Sequence, residues 1–233
     1  MNEISDIKHS FYINLNSRPD RKQYIEKEIQ KIGLKIERFK AIELPNGALG
    51  CSMSHLKLLE TAKKNEWDHI LIIEDDIQFL NPTLFVNNVN TFLSRNKTFD
   101  VLLLAGNNIP PYTTIDETCI KVSSCQTTTG YLVQKHYFDT LIQNYRDGIA
   151  KLLKYPEKHR YYAIDKYWLN LQKVDNWYLI VPLTVIQRED YSNIEKRATN
   201  YGNAMLDLDK EAYFRAQLKK QSMSKMNLLD LSS

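Results

Sequence analysis

Glycine is scarce in this chain, 7 in 233 residues, and neither a Gly-rich loop nor a Gly-Lys-Ser/Thr sequence occurs. That excludes the phosphate-cradling loops whose bare backbone must approach a phosphate closely. Cysteine is rarer still. Cys51, Cys119 and Cys125 are odd in number, fit no zinc spacing, and read as free thiols in a reducing compartment. No apolar run approaches the length of a membrane span, and the N-terminus, with Glu3 and Asp6, is no signal peptide. The polypeptide therefore reads as cytoplasmic, or as one separated from an anchor. An excess of one charge is missing too: a net charge of +3 is too small to argue for nucleic acid. Repeats and low-complexity tracts are absent. The length fits one large α/β domain or two small ones.

Against these absences stands one stretch, Asp68-His69-Ile70-Leu71-Ile72-Ile73-Glu74-Asp75-Asp76. Four apolar residues, three of them β-branched, run straight into three carboxylates. Such a run with a sharp polar stop predicts a buried central strand of a parallel sheet. Its carboxyl end carries the acids to where open α/β sheets place their ligands. Adjacent anions repel one another unless a cation arrives. Their hard oxygens suit Mg²⁺ or Mn²⁺, which in turn bridges nucleotide phosphates. Side chains alternate along a strand, so Glu74 and Asp76 are expected on one face and Asp75 on the other. The plain alternative is a solvated acidic turn.

The remaining elements follow the order of a nucleotide-binding α/β unit. Ser10 to Leu15 predicts a first strand. A helix follows from Pro19 to about Ile32, with Asn16 or Ser17 as cap and Gly33 as stop. Arg18 and Arg21 fall at the strand's carboxyl end beside a positive helix N-terminus, which favours an anion there and points to phosphate. Residues 34–42 predict a second strand. The next helix is expected to open at Gly50, where the backbone can be closely approached, with Ser52 or Ser54 available to cap or bind and His55 as a structural hydrogen-bonder. A helix from Pro82 to Leu93, strands over 100–106 and 119–122, a polar turn and strand over 126–133, and a helix from His136 to about Tyr145 come next. A basic loop over 151–160, a short helix near Asp165 and a strand over 177–181 complete the core. Beyond Gly202 a basic amphipathic helix places Met205, Leu206, Tyr213, Phe214 and Leu218 beside Arg215, Lys219 and Lys220. A tail of this kind can lie on a membrane or bind a partner, although packing on its own domain is the commoner arrangement.

Four stretches in order go further than a generic α/β reading. They are Tyr12-Ile13-Asn14-Leu15-x-x-Arg18-x-Asp20-Arg21, Gly50-Cys51-x-x-Ser54-His55, Ile73-Glu74-Asp75-Asp76 and Thr129-Gly130-Tyr131. Together they resemble glycosyltransferase family 25, which includes bacterial lipooligosaccharide and collagen galactosyltransferases. The resemblance covers roughly the first two thirds of the chain. It implies a GT-A-like, Rossmann-type single domain with a mostly parallel central sheet, here residues 1–203, followed by a helical tail over 204–233. It also implies a UDP-sugar donor, a glycan or glycosylated protein as acceptor, and Mn²⁺ or Mg²⁺ held by the acidic triplet in the role of an Asp-x-Asp motif. Carried over by position, Asp76 touches the metal, and Glu74 touches the metal's shell or the ribose. Asn14, Leu15, Arg18, Arg21, Gly50, Ser54, Asp75, Thr129 and Gly130 then line or adjoin the nucleotide-sugar. Gln187, with Asp190 and Ile194, resembles the family's closing segment.

An inverting transfer needs a carboxylate base on the face opposite the leaving diphosphate, hence on a different segment from the triplet. Asp165 fits by chain position, with Asp190 and Glu189 as rivals. Tyr161, Tyr162, Tyr167 and Trp168 surround it in sequence and offer rings to an acceptor sugar, although aromatics serve core packing more often. Two other classes stay open: a nucleotidyl- or phosphoryl-transferring enzyme using the same acids, and an inert sugar-nucleotide-binding module.

Overall fold

The computed structural model describes residues 1–95, 98–192, 197–211 and 214–215. The strand His69–Glu74 lies at its centre, and Ile70 to Ile73 are at most 1% exposed. It is covered on both faces, which is why its apolar run is continuous rather than alternating. Ile70 and Ile72 pack with Leu58, Leu59, Leu141 and Tyr145. Leu71 and Ile73 pack on the other side with Ile25, Phe85 and Phe92. Burying each such side chain is worth about 1.5–3 kcal/mol.

Among the described residues, eight strands form the central sheet. In chain order they are Ser10–Asn14 (β1), Glu37–Lys40 (β2), His69–Glu74 (β3), Val101–Leu103 (β4), Tyr112–Asp116 (β5), Cys119–Val122 (β6), Gly130–Gln134 (β7) and Trp177–Ile180 (β8). Their spatial order is β2-β1-β3-β7-β4-β8-β6-β5. Strands β2, β1, β3, β4, β8 and β5 run one way, and β7 and β6 run against them. Helices Pro19–Gln30 (α1) and Pro82–Ser94 (α3) cover one face of the sheet; Gly47–Lys64 (α2) and Phe138–Lys154 (α4) cover the other. The architecture is the expected α/β one with a mostly parallel sheet, but β3 is not flanked by parallel strands on both sides. Its neighbours are β1, parallel, and β7, antiparallel. The polar turn before β7 lies at the carboxyl edge of β3, so β7 must leave that edge in the opposite direction.

Several boundaries differ from expectation. Asn16 and Ser17 do not cap α1: Asn16 accepts from Arg38, Ser17 donates to Glu43, and Arg18 stands at the cap position without a side-chain bond to the helix end. Gly33, at φ +64°, does stand in the left-handed region just past α1. Only 37–40 of the predicted second strand pairs, at the sheet's edge. Helix α2 begins three residues before Gly50, capped by Asn46, whose side chain accepts from Leu49 N at 3.2 Å. Ser52 and Ser54 therefore lie inside the helix and donate back to the Ala48 and Gly50 carbonyls, both at 2.8 Å. Helix α4 runs on to Lys154, because Leu152 continues its buried face beyond Tyr145, so the predicted basic loop starts later. The hairpin of β5 with β6 was not foreseen, since β5 is a polar edge strand without an apolar pattern.

Two smaller features place the site. Ile77–Phe79 pairs antiparallel with Val185–Gln187, which brings Gln187 beside the turn carrying Asp76. The short helix Gly202–Leu206 spans the position where the tail is expected to begin, and Met205 is buried in the core. Ile194, Tyr213, Leu218, Lys219 and Lys220 lie outside the described residues. Among the described residues no helix is long and apolar enough to cross a membrane.

Gly50 sits where the chain crosses α2: a Cβ there would lie 2.5 Å from the Ile42 carbonyl oxygen. Gly50→Ala is expected to lower the unfolding free energy by about 1–3 kcal/mol, the usual penalty of overpacking against backbone. Urea denaturation measures it; an unchanged midpoint would show that the 41–45 segment moves away freely.

Candidate active site

The carboxyl ends of β1, β3 and β4 and the amino end of β7 meet at one edge of the sheet. Two cavities open there. The first, about 330 Å³, is bounded by Leu15, Arg18, Arg21, the Glu74-Asp75-Asp76 triplet and segment 41–45. The second, about 190 Å³, is bounded by Ser52, Thr127, Thr128, Arg160, Asp165 and Lys166. Cys51, Glu74 and Gln187 border both and form the wall between them.

The triplet does not alternate as a strand would. Strand β3 ends at Glu74, and Asp75 and Asp76 are in the following turn, so the two-residue period stops before it can separate them. All three acids face the first cavity, and Arg21 holds two of them together. Its Nη1 donates to Asp75 Oδ1 at 2.8 Å and to Asp76 Oδ2 at 3.1 Å. Its Nε donates to Asp190 Oδ2 at 3.0 Å, and Arg18 Nη2 reaches the same oxygen at 3.0 Å. The arginines thus already have anions, supplied by the protein. Asp75 also accepts from Asn14 Nδ2 at 2.7 Å, while Asn14 Oδ1 takes a bond from Arg38 at 3.0 Å. Asn14 is buried and positions Asp75 from behind the cavity wall.

Glu74 reaches the wall. Its Oε1 accepts from Thr128 Oγ1 at 2.7 Å and lies 3.5 Å from His55 Nε2 and 3.7 Å from Cys51 Sγ. Burial works to raise its pKa, but His55, Thr128 and Arg21 outweigh burial and hold it below the usual carboxylate value. Asp76 is the opposite case. Burial first, then the Glu74 charge, pushes it up to about 7. Its Oδ2 accepts from Gln187 Nε2 at 3.0 Å, and its Oδ1 is buried with no partner.

In the second cavity Asp165 Oδ2 accepts from Thr127 N at 3.2 Å, with Lys166 Nζ at 3.8 Å. Burial raises the Asp165 pKa, against the Lys166 charge. Thr127 has φ +75°, a strained conformation for a β-branched residue, and the bond to Asp165 helps hold it.

Other expected site residues stand behind the surface. Gly50 packs on Ile42, and Ser54, although on the first cavity's wall, spends its hydroxyl on Gly50 O and Ile42 N. Thr129 and Gly130 are buried; Thr129 O accepts from Glu74 N, and Thr128 rather than Thr129 turns its side chain to Glu74. Asp190 is taken up by the arginines, and Glu189 accepts from Asn200. Of the aromatics near Asp165, Trp168 is core, Tyr162 and Tyr167 pack under Lys151, and Tyr161 is exposed on an adjoining open groove. Sequence reasoning missed segment 41–45 and Thr127 as walls. Neither carries a motif, and both are recruited by the fold.

A family model described as glycosyltransferase family 25 (LPS biosynthesis protein) matches residues 43–168, which include α2, the triplet and Asp165. A "Glycosyltransferase 25 family member" of Drosophila pseudoobscura pseudoobscura is 31% identical over a stretch covering 30% of this chain and 16% of that protein. One of the same description from Drosophila melanogaster is 28% identical, with the same coverage. The chain thus aligns with less than a fifth of the length of these relatives. Among solved structures, a glycosyltransferase involved in the glycosylation of the major capsid of PBCV-1 aligns at TM-score 0.36 and 8% identity, over 75% of this chain and 93% of that one. A197 from STIV aligns at TM-score 0.43 and 10% identity, over 82% and 92%.

The raised Asp76 pKa has a sign that can be tested. A carboxyl that prefers its proton in the folded chain contributes stability below the unfolded value of 3.8, and that contribution is lost as pH rises through about 7. Asp76→Asn cannot ionise and keeps an acceptor for Gln187. Relative to the parent it is expected to gain on the order of a few degrees in melting temperature between about pH 5 and about pH 8. Calorimetry in EDTA reads this. A constant difference across that range would mean that Asp76 ionises as an ordinary surface acid does.

Proposed function

The chain belongs to glycosyltransferase family 25, and from that premise we propose that it transfers a hexose, galactose or glucose, from a UDP-sugar to an acceptor hydroxyl on a glycan or glycosylated protein. The reaction in this reading needs Mn²⁺ or Mg²⁺ and inverts the anomeric carbon. The observation that carries it is the pair of cavities meeting at Glu74, one with the acidic triplet and arginines, the other with a buried carboxylate, Asp165.

The first cavity suits the donor. Arg18 and Arg21 border it and offer guanidinium donors that a diphosphate can share with Asp190. Asp76 Oδ1, buried without a partner beside Glu74, is an oxygen awaiting a cation, so the residues present fit a hard divalent ion. Asp76 and Glu74 would hold it, and when bound it supplies positive charge against the charge developing on the leaving diphosphate. Gln187 and Asn14 keep Asp76 and Asp75 in place.

The second cavity suits the acceptor. Asp165 takes the proton from the attacking hydroxyl, and its burial favours that role, because a base of raised pKa holds the proton better. Its rivals are occupied on the donor side or the periphery: Asp190 with Arg18 and Arg21, Glu189 with Asn200.

Asp165→Asn retains an oxygen for the Thr127 N–H and removes the proton acceptor. With saturating donor, kcat is expected to fall about 10²–10⁴-fold at unchanged UDP affinity. Turnover near the parent's would hand the base role elsewhere. Asp76→Ala is expected to abolish metal-dependent transfer while leaving a cooperative melt. Both are read with UDP-sugar labelled separately in the sugar and in the α-phosphate. Label reaching product from the phosphate would replace this reading with nucleotidyl transfer.

A further inference from the structure

The wall between the cavities contains a donor set unlike the acidic triplet. Cys51 Sγ, His55 Nε2 and Glu74 Oε1 all lie within 4.8 Å of one another. Glu74 Oε1 is 3.5 Å from the His55 nitrogen and 3.7 Å from the Cys51 sulfur. Zinc bonds of about 2.3 Å to sulfur and about 2.0–2.2 Å to nitrogen and oxygen separate tetrahedral ligands by roughly 3.3–3.6 Å. The two separations from Glu74 are close to that. Cys51 and His55 are one turn apart on α2 and so project from the same face.

A second observation is independent of the clustering. The His55 ring is fully buried, and its Nε2 makes no hydrogen bond. The other ring nitrogen, Nδ1, lies 2.7 Å from Tyr131 Oη, which in turn takes a bond from Tyr145 Oη at 3.0 Å. The Tyr131 contact fixes the orientation of the ring and turns Nε2 towards Glu74. Metal-binding histidines are fixed by such a partner.

We propose that Cys51, His55 and Glu74 form a site for Zn²⁺, separate in chemistry from the hard-oxygen site at Asp76, with its fourth position open to the cavities. Sulfur and imidazole ligands favour zinc-like ions over Mg²⁺ or Mn²⁺. On loading, the Cys51 S–H bond breaks, its proton goes to solvent and the thiolate binds the ion, while the His55 ring proton sits on Nδ1 against Tyr131 Oη so that the Nε2 lone pair is free to bind. Zinc seated there engages Glu74. In the transferase reading, on which this one consequence rests, it opposes the Mn²⁺-dependent reaction.

The binding claim is tested without any transfer assay. Reduced, EDTA-stripped protein is titrated with Co²⁺. One equivalent is expected to give the near-ultraviolet thiolate-to-cobalt absorption, which Zn²⁺ removes and Mn²⁺ does not. Cys51→Ser, a half-buried position, is expected to fold, to lose that absorption and to bind Zn²⁺ at least about tenfold more weakly. His55→Gln is expected to weaken Zn²⁺ similarly, with its melting curve recorded because the ring is buried. Absence of the thiolate band in the parent, or equal Zn²⁺ affinity in the parent and Cys51→Ser, overturns the proposal.

Discussion

Three carboxylates, those of Asp75, Asp76 and Asp190, are held by the guanidinium groups of Arg21 and its neighbour Arg18 beside the end of one buried strand, and Glu74 lies close enough to feel the Arg21 charge. Two cations against four anions in a half-buried site leave the balance negative. Buried charge of this kind is tolerated only when it is paired, since desolvation costs several kcal/mol per ion. Arg21 can do the pairing because α1 starts directly after β1, which brings its first turn over the acidic edge. The deficit is visible in the atoms. One Asp76 oxygen has no partner, and the Asp76 proton is held far above the usual carboxylate range. A site balanced in this way accepts a further cation or an uncharged carboxyl with little rearrangement.

The division of that edge into two compartments depends on a strand running backwards. Because β7 lies antiparallel between β3 and β4, its leading turn, Thr127 to Thr129, comes up beside Glu74 rather than at the far edge. Thr128 then bonds Glu74, which borders both cavities, and Thr127 bonds Asp165, which lines the second. Beneath the wall, His55, Tyr131 and Tyr145 form a buried hydrogen-bonded chain between α2, β7 and α4. Polar chains of this type rigidify what they support when their members are satisfied. The exception is His55 Nε2, at the point where the chain meets Glu74.

Much of the framework was legible in the linear chain. Strand β3 was readable because full burial on two faces demands an unbroken apolar run, and α1 because Pro19 and Gly33 bracket a helical period. The start of α2 was not, because Asn46 is one polar residue among several and a helix beginning with glycine has no local signal. The end of α4 was missed because a basic stretch around Pro156 hides the last apolar position of its buried face. Asp75 was placed wrongly because alternation holds only while a strand continues, and where β3 stops is decided by pairing with β1 and β7.

What the sequence determined by itself was chemical identity and order. It set three acids after a buried strand, arginines after the first strand, a glycine where backbone must pass, and a lone acid far downstream, since these depend on local composition and period. Only the tertiary structure decided which groups share a space. Cys51 fits no zinc spacing in the sequence, yet α2 and β3 set it beside His55 and Glu74. Asp190 is distant from Arg18 and Arg21 along the chain and bonded to both in space. Proximity across elements is fixed by how two-sided burial stacks helices on a sheet, and no window along the chain contains that information.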